Sequence, residues 1–310
     1  MELAHSHAPL RTGPLPAGNR RAWRQRLRAA LVLTVCVLVL EIAGGLLSRS
    51  IALLADAAHL FADIAALSLA FAAIRLAERA PTGRHTFGLY RAEILAAFVN
   101  AEVLLLLAGW IVVEAVGRLG EPVAVRSGVM LAVAAAGLLA NAAVMRLLSE
   151  GREGSLNLRA AHLEAATDLV GSVAVVAAAI AIPRTGWMWL DPVVSLGVAA
   201  FILPRAVSLL RQSAHILLEG APGEIDAAAL RRRILEVPGV EALHDLHFWT
   251  LTSGLHSASV HIRAAAASGR GEVLEAVRDI LSGEAGVDHA TIQVERGTET
   301  TCHASNRDHA

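Results

Sequence analysis

The sequence predicts an α-helical membrane protein with six transmembrane helices, followed by a small α+β domain. Hydrophobic residues make up 55% of the 310-residue chain, and the mean hydropathy is +0.53. These values are too apolar for a soluble domain. Long apolar runs fill the chain up to about residue 215, and a more polar, periodic pattern follows them.

Short polar connections separate the six apolar runs. A polar, Pro- and Gly-punctuated segment, residues 1–26, precedes them and is expected to be a flexible cytoplasmic tail. Residues 27–215 hold the runs, each of which has at least the roughly 20 residues that a helix needs to cross a bilayer. Their bounds are 27–47, 51–76, 90–116, 125–148, 158–182 and 187–210.

Arginine is distributed unevenly over the connections. It clusters before the first run and beside the second and fourth connections. Because positive residues favour the cytoplasmic side, we expect both termini in the cytoplasm. The first run is a full span without a clear cleavage site, which favours a retained helix, and the compact loops favour a multi-pass protein of a bacterial inner membrane. The formal net charge of −1 gives no reason to expect a nucleic-acid partner.

Residues 216–296 have the pattern of a small cytoplasmic α+β domain. Pro238 and Gly239 end its first helix. The order helix, strand, strand, helix, strand suggests one sheet with helices on one face. The expected elements are helices at 224–237 and 272–281 and strands at 240–251, 255–263 and 287–294. Residues 297–310 are expected to be a flexible tail.

The second apolar run contains three ionisable residues on one helical face. Asp56, His59 and Asp63 are separated by three and four residues. Charges at membrane depth are costly, so such residues usually face a protein interior and mark an ion or proton path. The alternative is a helix–helix hydrogen bond, which three such groups together disfavour. An imidazole and a carboxylate one turn apart are well placed to bind a divalent metal.

The fifth apolar run supplies the second half of a metal site. Glu164 and Asp168 are four residues apart and share a face, as His59 and Asp63 do. One nitrogen and three or more oxygens suit a tetrahedral first-row divalent ion. His162 should point to the other side of the helix, although its position near the helix end would allow it to bend inward.

Several separated motifs resemble those of the cation diffusion facilitators. The similarity covers nearly the whole chain, and the motifs occur in the family's order. It implies a homodimer, formed through transmembrane and cytoplasmic domains, that exports Zn2+, or Cd2+ or Co2+, from the cytoplasm in exchange for protons. It also implies a ferredoxin-like cytoplasmic domain. The motifs are Ala55–Asp63, Arg84–Gly88, Asn157–Ala161 with Asp168–Ser172, and His244–Gly254.

The resemblance also implies roles for particular residues. His59, Asp63 and Asp168 match the family's transport ligands. Glu164 stands where zinc-transporting members usually have His, and the additional oxygen ligand could admit Mn2+ or Fe2+. Asp56 is expected to assist proton exchange or to orient the imidazole.

The family's cytoplasmic metal sites are matched only in part by this sequence. A loop metal site of some members is expected to be absent here, because only His85 matches it. A site in the soluble domain is expected to be weakened, because Gln293 and Glu295 replace a His and an Asp. The alternative is that these are solvated residues of strands and tail. The candidate ligands are His244, His261, Glu295, His247, Cys302 and His303.

Two other classes of function fit the sequence less well. An intramembrane metalloenzyme would need an open coordination position and a general base, as in a His-Glu-x-x-His motif, and the sequence contains no such motif. A membrane metal sensor would need an output motif, and none was found. We therefore expect a secondary transporter that works by alternating access, and not an enzyme.

Overall fold

The computed structural model describes residues 17–77, 82–149, 156–252, 254–265 and 269–296. These residues form eight α-helices and three β-strands. They divide into two compact units. The first unit comprises the described residues of Met1–Ile64 and Leu104–Pro204, and the second comprises those of Ala65–Val103 and Arg205–Ala310.

Six long helices come first in the chain. They are α1 (Ala17–Ser48), α2 (Ile51–Ala77), α3 (Arg91–Gly120), α4 (Ser127–Ser149), α5 (Leu156–Thr185) and α6 (Leu190–Leu217). All except α2 contain a described segment long and apolar enough to cross a membrane. The prediction of a helical membrane domain is therefore confirmed, with five apolar helices, and the count of six is approximate. Helix α1 begins ten residues before the predicted span, because the basic residues that precede the span have good helix propensity.

The first half of α2 lies at the centre of the first unit. Ala52 and Leu53 pack with residues of α4 and α5, and Ile51 and Ala55 pack with residues of α3 and α6. On the outside of this unit, large apolar side chains such as Leu106 are exposed. Such an exterior is unfavourable in water and is expected of helices that contact lipid. The first half of α2 is therefore enclosed by other helices.

A buried carboxylate fixes the start of α2. Asp191, in the first turn of α6, accepts hydrogen bonds from the backbone N–H groups of Ile51 at 2.9 Å and Ala52 at 3.3 Å. It also accepts one from the hydroxyl of Ser50. The first N–H groups of a helix have no partner within the helix and carry a partial positive charge, so a carboxylate there satisfies them and stabilises the helix end.

The soluble part of the second unit is a small α+β domain, as predicted. Its elements are α7 (Ala227–Leu235), β1 (Val240–Thr252), β2 (Leu255–Ala264), α8 (Arg270–Gly283) and β3 (Val287–Arg296). The sheet order is β1-β2-β3, with β1 antiparallel and β3 parallel to β2. Helix α8 forms the crossover between the two parallel strands. Both helices bury apolar residues in one core with the sheet, among them Leu230, Ile234, Val277 and Leu281.

The start of α3 contacts the sheet within the second unit. Glu93 accepts a hydrogen bond from the hydroxyl of Thr252, at the end of β1. The ring of Phe87 lies edge-on to that of His289 on β3, with ring centroids 5.6 Å apart. These contacts place the end of the loop between α2 and α3 against the edge of the domain where β1 ends.

Candidate metal centre

Two helices bring three of the predicted ligands together in the first unit. His59 and Asp63 lie on α2 and Asp168 lies on α5. The Nε2 atom of His59 lies 3.0 Å from Oδ1 of Asp168 and 3.5 Å from Oδ2 of Asp63. Donor atoms in a tetrahedral site with metal–ligand bonds of about 2.1 Å lie about 3.4 Å apart. The three side chains therefore already have nearly the spacing that a small divalent ion requires.

The three side chains are largely removed from solvent. Their exposed fractions are 10% for His59, 12% for Asp168 and 23% for Asp63. Phe201 of α6 lies edge-on to the imidazole, with ring centroids 6.5 Å apart. Two carboxylates in such surroundings need a compensating cation, which a metal ion or a protonated imidazole can supply. The site is therefore suited to hold a metal ion or protons.

The fourth predicted ligand lies on the same helix as Asp168. Glu164 precedes Asp168 by four residues on α5, so its Cα lies on the same face of the helix. The side chains of Glu164 and of His162 lie outside the described residues.

A buried carboxyl pair lies beside the centre. Asp56, one turn before His59 on α2, is buried, and its carboxyl group lies within hydrogen-bonding reach of that of Glu41 on α1. The helical spacing that singles out Asp56, His59 and Asp63 gives no role to Glu41, which lies on another helix. The sequence feature that could have indicated Glu41 is its position as an acidic residue within the first apolar run.

A second cluster lies on the sheet of the second unit. His244 on β1 pairs in register with His261 on β2, and their ring centroids are 5.3 Å apart. Glu295 on β3 reaches both, with one carboxylate oxygen 3.6 Å from Nε2 of His244 and the other 3.4 Å from Nδ1 of His261. Three of the predicted cytoplasmic candidates therefore come together across all three strands.

Asp245 is an additional member of this cluster. Ligand atoms of His244, Asp245 and His261 lie within 4.8 Å of one another. Strand alternation would place Asp245 on the face opposite His244, but the pairing shifts register between His244 and His247, and Asp245 has a positive φ of 49°. This local irregularity turns its carboxylate to the side of the histidines.

Two other cytoplasmic candidates, His247 and His85, do not join the cluster. His247 is exposed and pairs in register with Ser259. His85 is exposed in the loop before α3, where its backbone is hydrogen-bonded to that of Thr82. Cys302 and His303 lie outside the described residues.

Comparisons with known protein families agree with the two-part organisation. Residues 27–218 match the family model of the cation efflux transmembrane domain, and residues 222–297 match that of the cation efflux protein cytoplasmic domain. The chain belongs to the cation efflux family. The family expected from the motifs is thus confirmed, and this cation efflux protein is a transporter and not an enzyme.

Relatives of this cation efflux protein match it over most of their length. The metal cation efflux system protein CzcD of Cupriavidus metallidurans is 43% identical over 95% of this chain and 90% of its own. The zinc transporter ZitB of Escherichia coli is 41% identical over 94% of this chain and 93% of its own. The cadmium, cobalt and zinc/H(+)-K(+) antiporter of Bacillus velezensis is 36% identical over 87% of both chains.

Proposed function

We propose that this cation efflux protein is a metal/proton antiporter that exports Zn2+, and also Cd2+ and Co2+, from the cytoplasm by alternating access. The observation that carries the proposal is the convergence of His59, Asp63 and Asp168 from two helices, with donor atoms 3.0–3.5 Å from His59 Nε2. The metals in the names of the zinc transporter ZitB and of the cadmium, cobalt and zinc antiporter support the choice of metals.

The proposed transport site contains His59, Asp63, Glu164 and Asp168. Glu164 completes the coordination because its Cα shares the face of Asp168 on α5. One imidazole and three carboxylates form a harder site than two imidazoles, and harder ligands favour Mn2+ or Fe2+ more than a histidine-rich site does. An antiporter selective for one of these ions is therefore the second candidate. We favour zinc because the relatives named for it match nearly the whole chain.

Proton coupling follows from the chemistry of the ligands. A metal ion binds only when the imidazole is neutral and the carboxylates are ionised, so protons and metal compete for the same groups. Metal enters from the cytoplasm, rocking of the helices exposes the site to the outside, and protons displace the metal there. The return of these protons to the cytoplasm drives export, with Asp56 assisting their exchange.

The domain organisation that we propose follows the sequence boundaries. Residues 27–215 form the transmembrane domain of an inner-membrane protein, and residues 216–296 form the cytoplasmic domain. They are flanked by an N-terminal segment at 1–26, which includes the first residues of α1, and by a tail at 297–310. Both termini are cytoplasmic, as the distribution of arginine favours. The protein functions as a homodimer through both domains, and the bilayer surrounds the first of them.

The cytoplasmic cluster is proposed as a second metal site. Two imidazoles and two carboxylates, from His244, Asp245, His261 and Glu295, converge across three strands. This ligand set suits Zn2+. Because the cluster lies in a separate domain, metal binding there is independent of the transport ligands.

A flux experiment tests the proposed function. Purified protein is reconstituted into proteoliposomes with an imposed pH gradient. The rates at which it transports zinc, cadmium, cobalt, manganese and iron are then compared. We expect zinc flux that depends on the gradient and that Asp168→Asn abolishes. Glu121→Gln serves as the matched control, because Glu121 is an exposed carboxylate in the connection between α3 and α4. Equal zinc flux in wild type and Asp168→Asn would refute the assignment of the site.

A further inference from the structure

Glu41 is a buried carboxyl group on a helix that carries none of the proposed ligands. It is 1% exposed, and its Oε2 atom is buried without a hydrogen-bond partner among the described residues. An ionised carboxylate is very costly to bury without partners for its oxygens, whereas a neutral carboxyl group is much less costly. The surroundings of Glu41 therefore favour its protonated form.

The carboxyl group of Asp56 lies within hydrogen-bonding reach of that of Glu41. An ionised carboxylate can only accept hydrogen bonds, so two ionised carboxylates cannot be hydrogen-bonded to each other. A hydrogen bond between the two groups therefore requires at least one proton on the pair. Glu41 has an oxygen without a partner among the described residues, whereas Asp56 lies one turn from the imidazole of His59. This arrangement favours a proton on Glu41, whose hydroxyl then donates to the carboxylate of Asp56.

The neighbouring helices leave space for this pair. A Cβ atom at Gly137 of α4 would lie 2.8 Å from Oε1 of Glu41, so that any side chain there would displace the carboxyl group. Among the described residues, the titratable groups that face the pair come from α2, which contributes His59, and from α5, which contributes Asp168. Both belong to the proposed transport site. A change of charge at that site therefore acts directly on the proton of Glu41.

We propose that Glu41 is a proton-carrying residue of the transport cycle, which loses its proton to solvent when the adjacent site binds metal and regains it when the metal leaves. This inference rests on the proposed function. Replacement of one imidazole proton by a divalent ion adds one net positive charge beside the pair. Added positive charge lowers the proton affinity of a neighbouring carboxyl group. Glu41 then contributes one proton to the exchange beyond those that the metal ligands themselves release.

Calorimetry measures this additional proton directly. Zinc is titrated into the purified full chain in buffers of different ionisation enthalpy, over a pH series around neutrality, which gives the number of protons released per zinc bound. In Glu41→Gln the amide can still donate to Asp56 but holds no exchangeable proton. We expect this variant to bind zinc and to release up to one proton fewer than the wild type, with a correspondingly shallower dependence of the zinc Kd on pH. Glu121→Gln should match the wild type.

Equal proton release by Glu41→Gln and the wild type would overturn the inference. Equal numbers of zinc ions bound by the wild type and by Asp168→Asn would instead reject the proposed function, because the His59 site would then hold no zinc, so the two failures are distinguishable. An infrared measurement on the wild type does not depend on the folding of the variant. The carbonyl stretch of a protonated carboxyl group should be present without metal and should decrease when zinc is added. Its persistence in the presence of zinc, or its absence before zinc is added, would also overturn the inference.

Discussion

The Nε2 atom of His59 on α2 lies 3.0 Å from Oδ1 of Asp168 on α5. The two residues are 109 positions apart in the chain, and both side chains are largely removed from solvent. A charged or strongly hydrogen-bonded pair in such surroundings holds the two helices in a defined register when no metal is bound. In the proposed transport cycle, the same two atoms become ligands when a metal replaces the proton between them.

Glu164→His tests the contribution of the fourth ligand to selectivity. The substitution gives the site a second imidazole and should shift preference from manganese and iron towards zinc and cadmium, because imidazole is a softer ligand than carboxylate. Competition between zinc and manganese in the flux assay measures this shift. Unchanged selectivity in Glu164→His would mean that Glu164 does not contact the ion. Glu121→Gln is again the control for handling and reconstitution.

Asp191→Ala tests the anchor of α2. The substitution leaves two backbone N–H groups and the hydroxyl of Ser50 without their acceptor in a buried position. Each unsatisfied buried group costs about 1–3 kcal/mol, so we expect a clear fall in the midpoint of thermal unfolding in detergent. Asp191→Asn keeps one acceptor and should be intermediate. If Asp191→Ala unfolds at the wild-type temperature, the hydrogen bonds of this carboxylate do not stabilise the helix end.

His261→Ala tests the cytoplasmic cluster separately from the transport site. His261 contacts both His244 and Glu295, so its loss removes one ligand from the centre of the cluster. We expect the number of zinc ions bound per chain at equilibrium to fall by one, while the His59 site remains occupied. His247→Ala is the matched control, because His247 is an exposed histidine on the same strand as His244. An unchanged zinc count in His261→Ala would show that the cluster holds no metal.

Glu284→Gln tests a pH-dependent contact between α7 and α8. The pKa of Glu284 is lowered because Arg233 donates hydrogen bonds to both carboxylate oxygens, at 2.7 and 3.2 Å. A carboxyl group whose pKa is lowered by folding stabilises the protein above its unfolded pKa, and this contribution is lost as pH falls through the folded pKa.

The expected loss of thermal stability in Glu284→Gln is small at neutral pH, because the pair is exposed to solvent. It should disappear in acid, below the folded pKa. Glu275→Gln, an exposed carboxyl group on α8, controls for the change of surface charge. A stability difference that persists unchanged into acid would exclude the pair as its source.

Helical periodicity was sufficient to identify the face of α2 that carries His59 and Asp63. The intervals of three and four residues determine that face whatever the rest of the fold is. The partner residue Asp168 could be proposed for the same reason, although the distance between the two helices is a tertiary property that a single sequence does not contain. The strands of the soluble domain were likewise placed to within about two residues by their alternation.

Two residues near the candidate sites, Asp245 and Glu41, could not be assigned from the sequence. Their positions depend on irregular backbone or on contacts between helices. Asp245 was not assigned, because a register shift and a positive φ turn it out of the regular alternation. Glu41 was not assigned, because its role depends on Asp56 of another helix and on the space left by Gly137. Neither a local bulge nor the space beside a glycine can be inferred from residue types alone.

Because α2 is fixed at its start, a tilt of the helix about that end would move the residues further along it. Asp191 holds the backbone at Ile51, and His59 lies eight residues further along, at a distance of about 12 Å for a rise of 1.5 Å per residue. If α2 tilted by about 10° around its fixed start, His59 would move about 2 Å away from Asp168. This distance is as long as a metal–ligand bond. A small rotation of one helix is therefore enough to open the coordination sphere and release the ion.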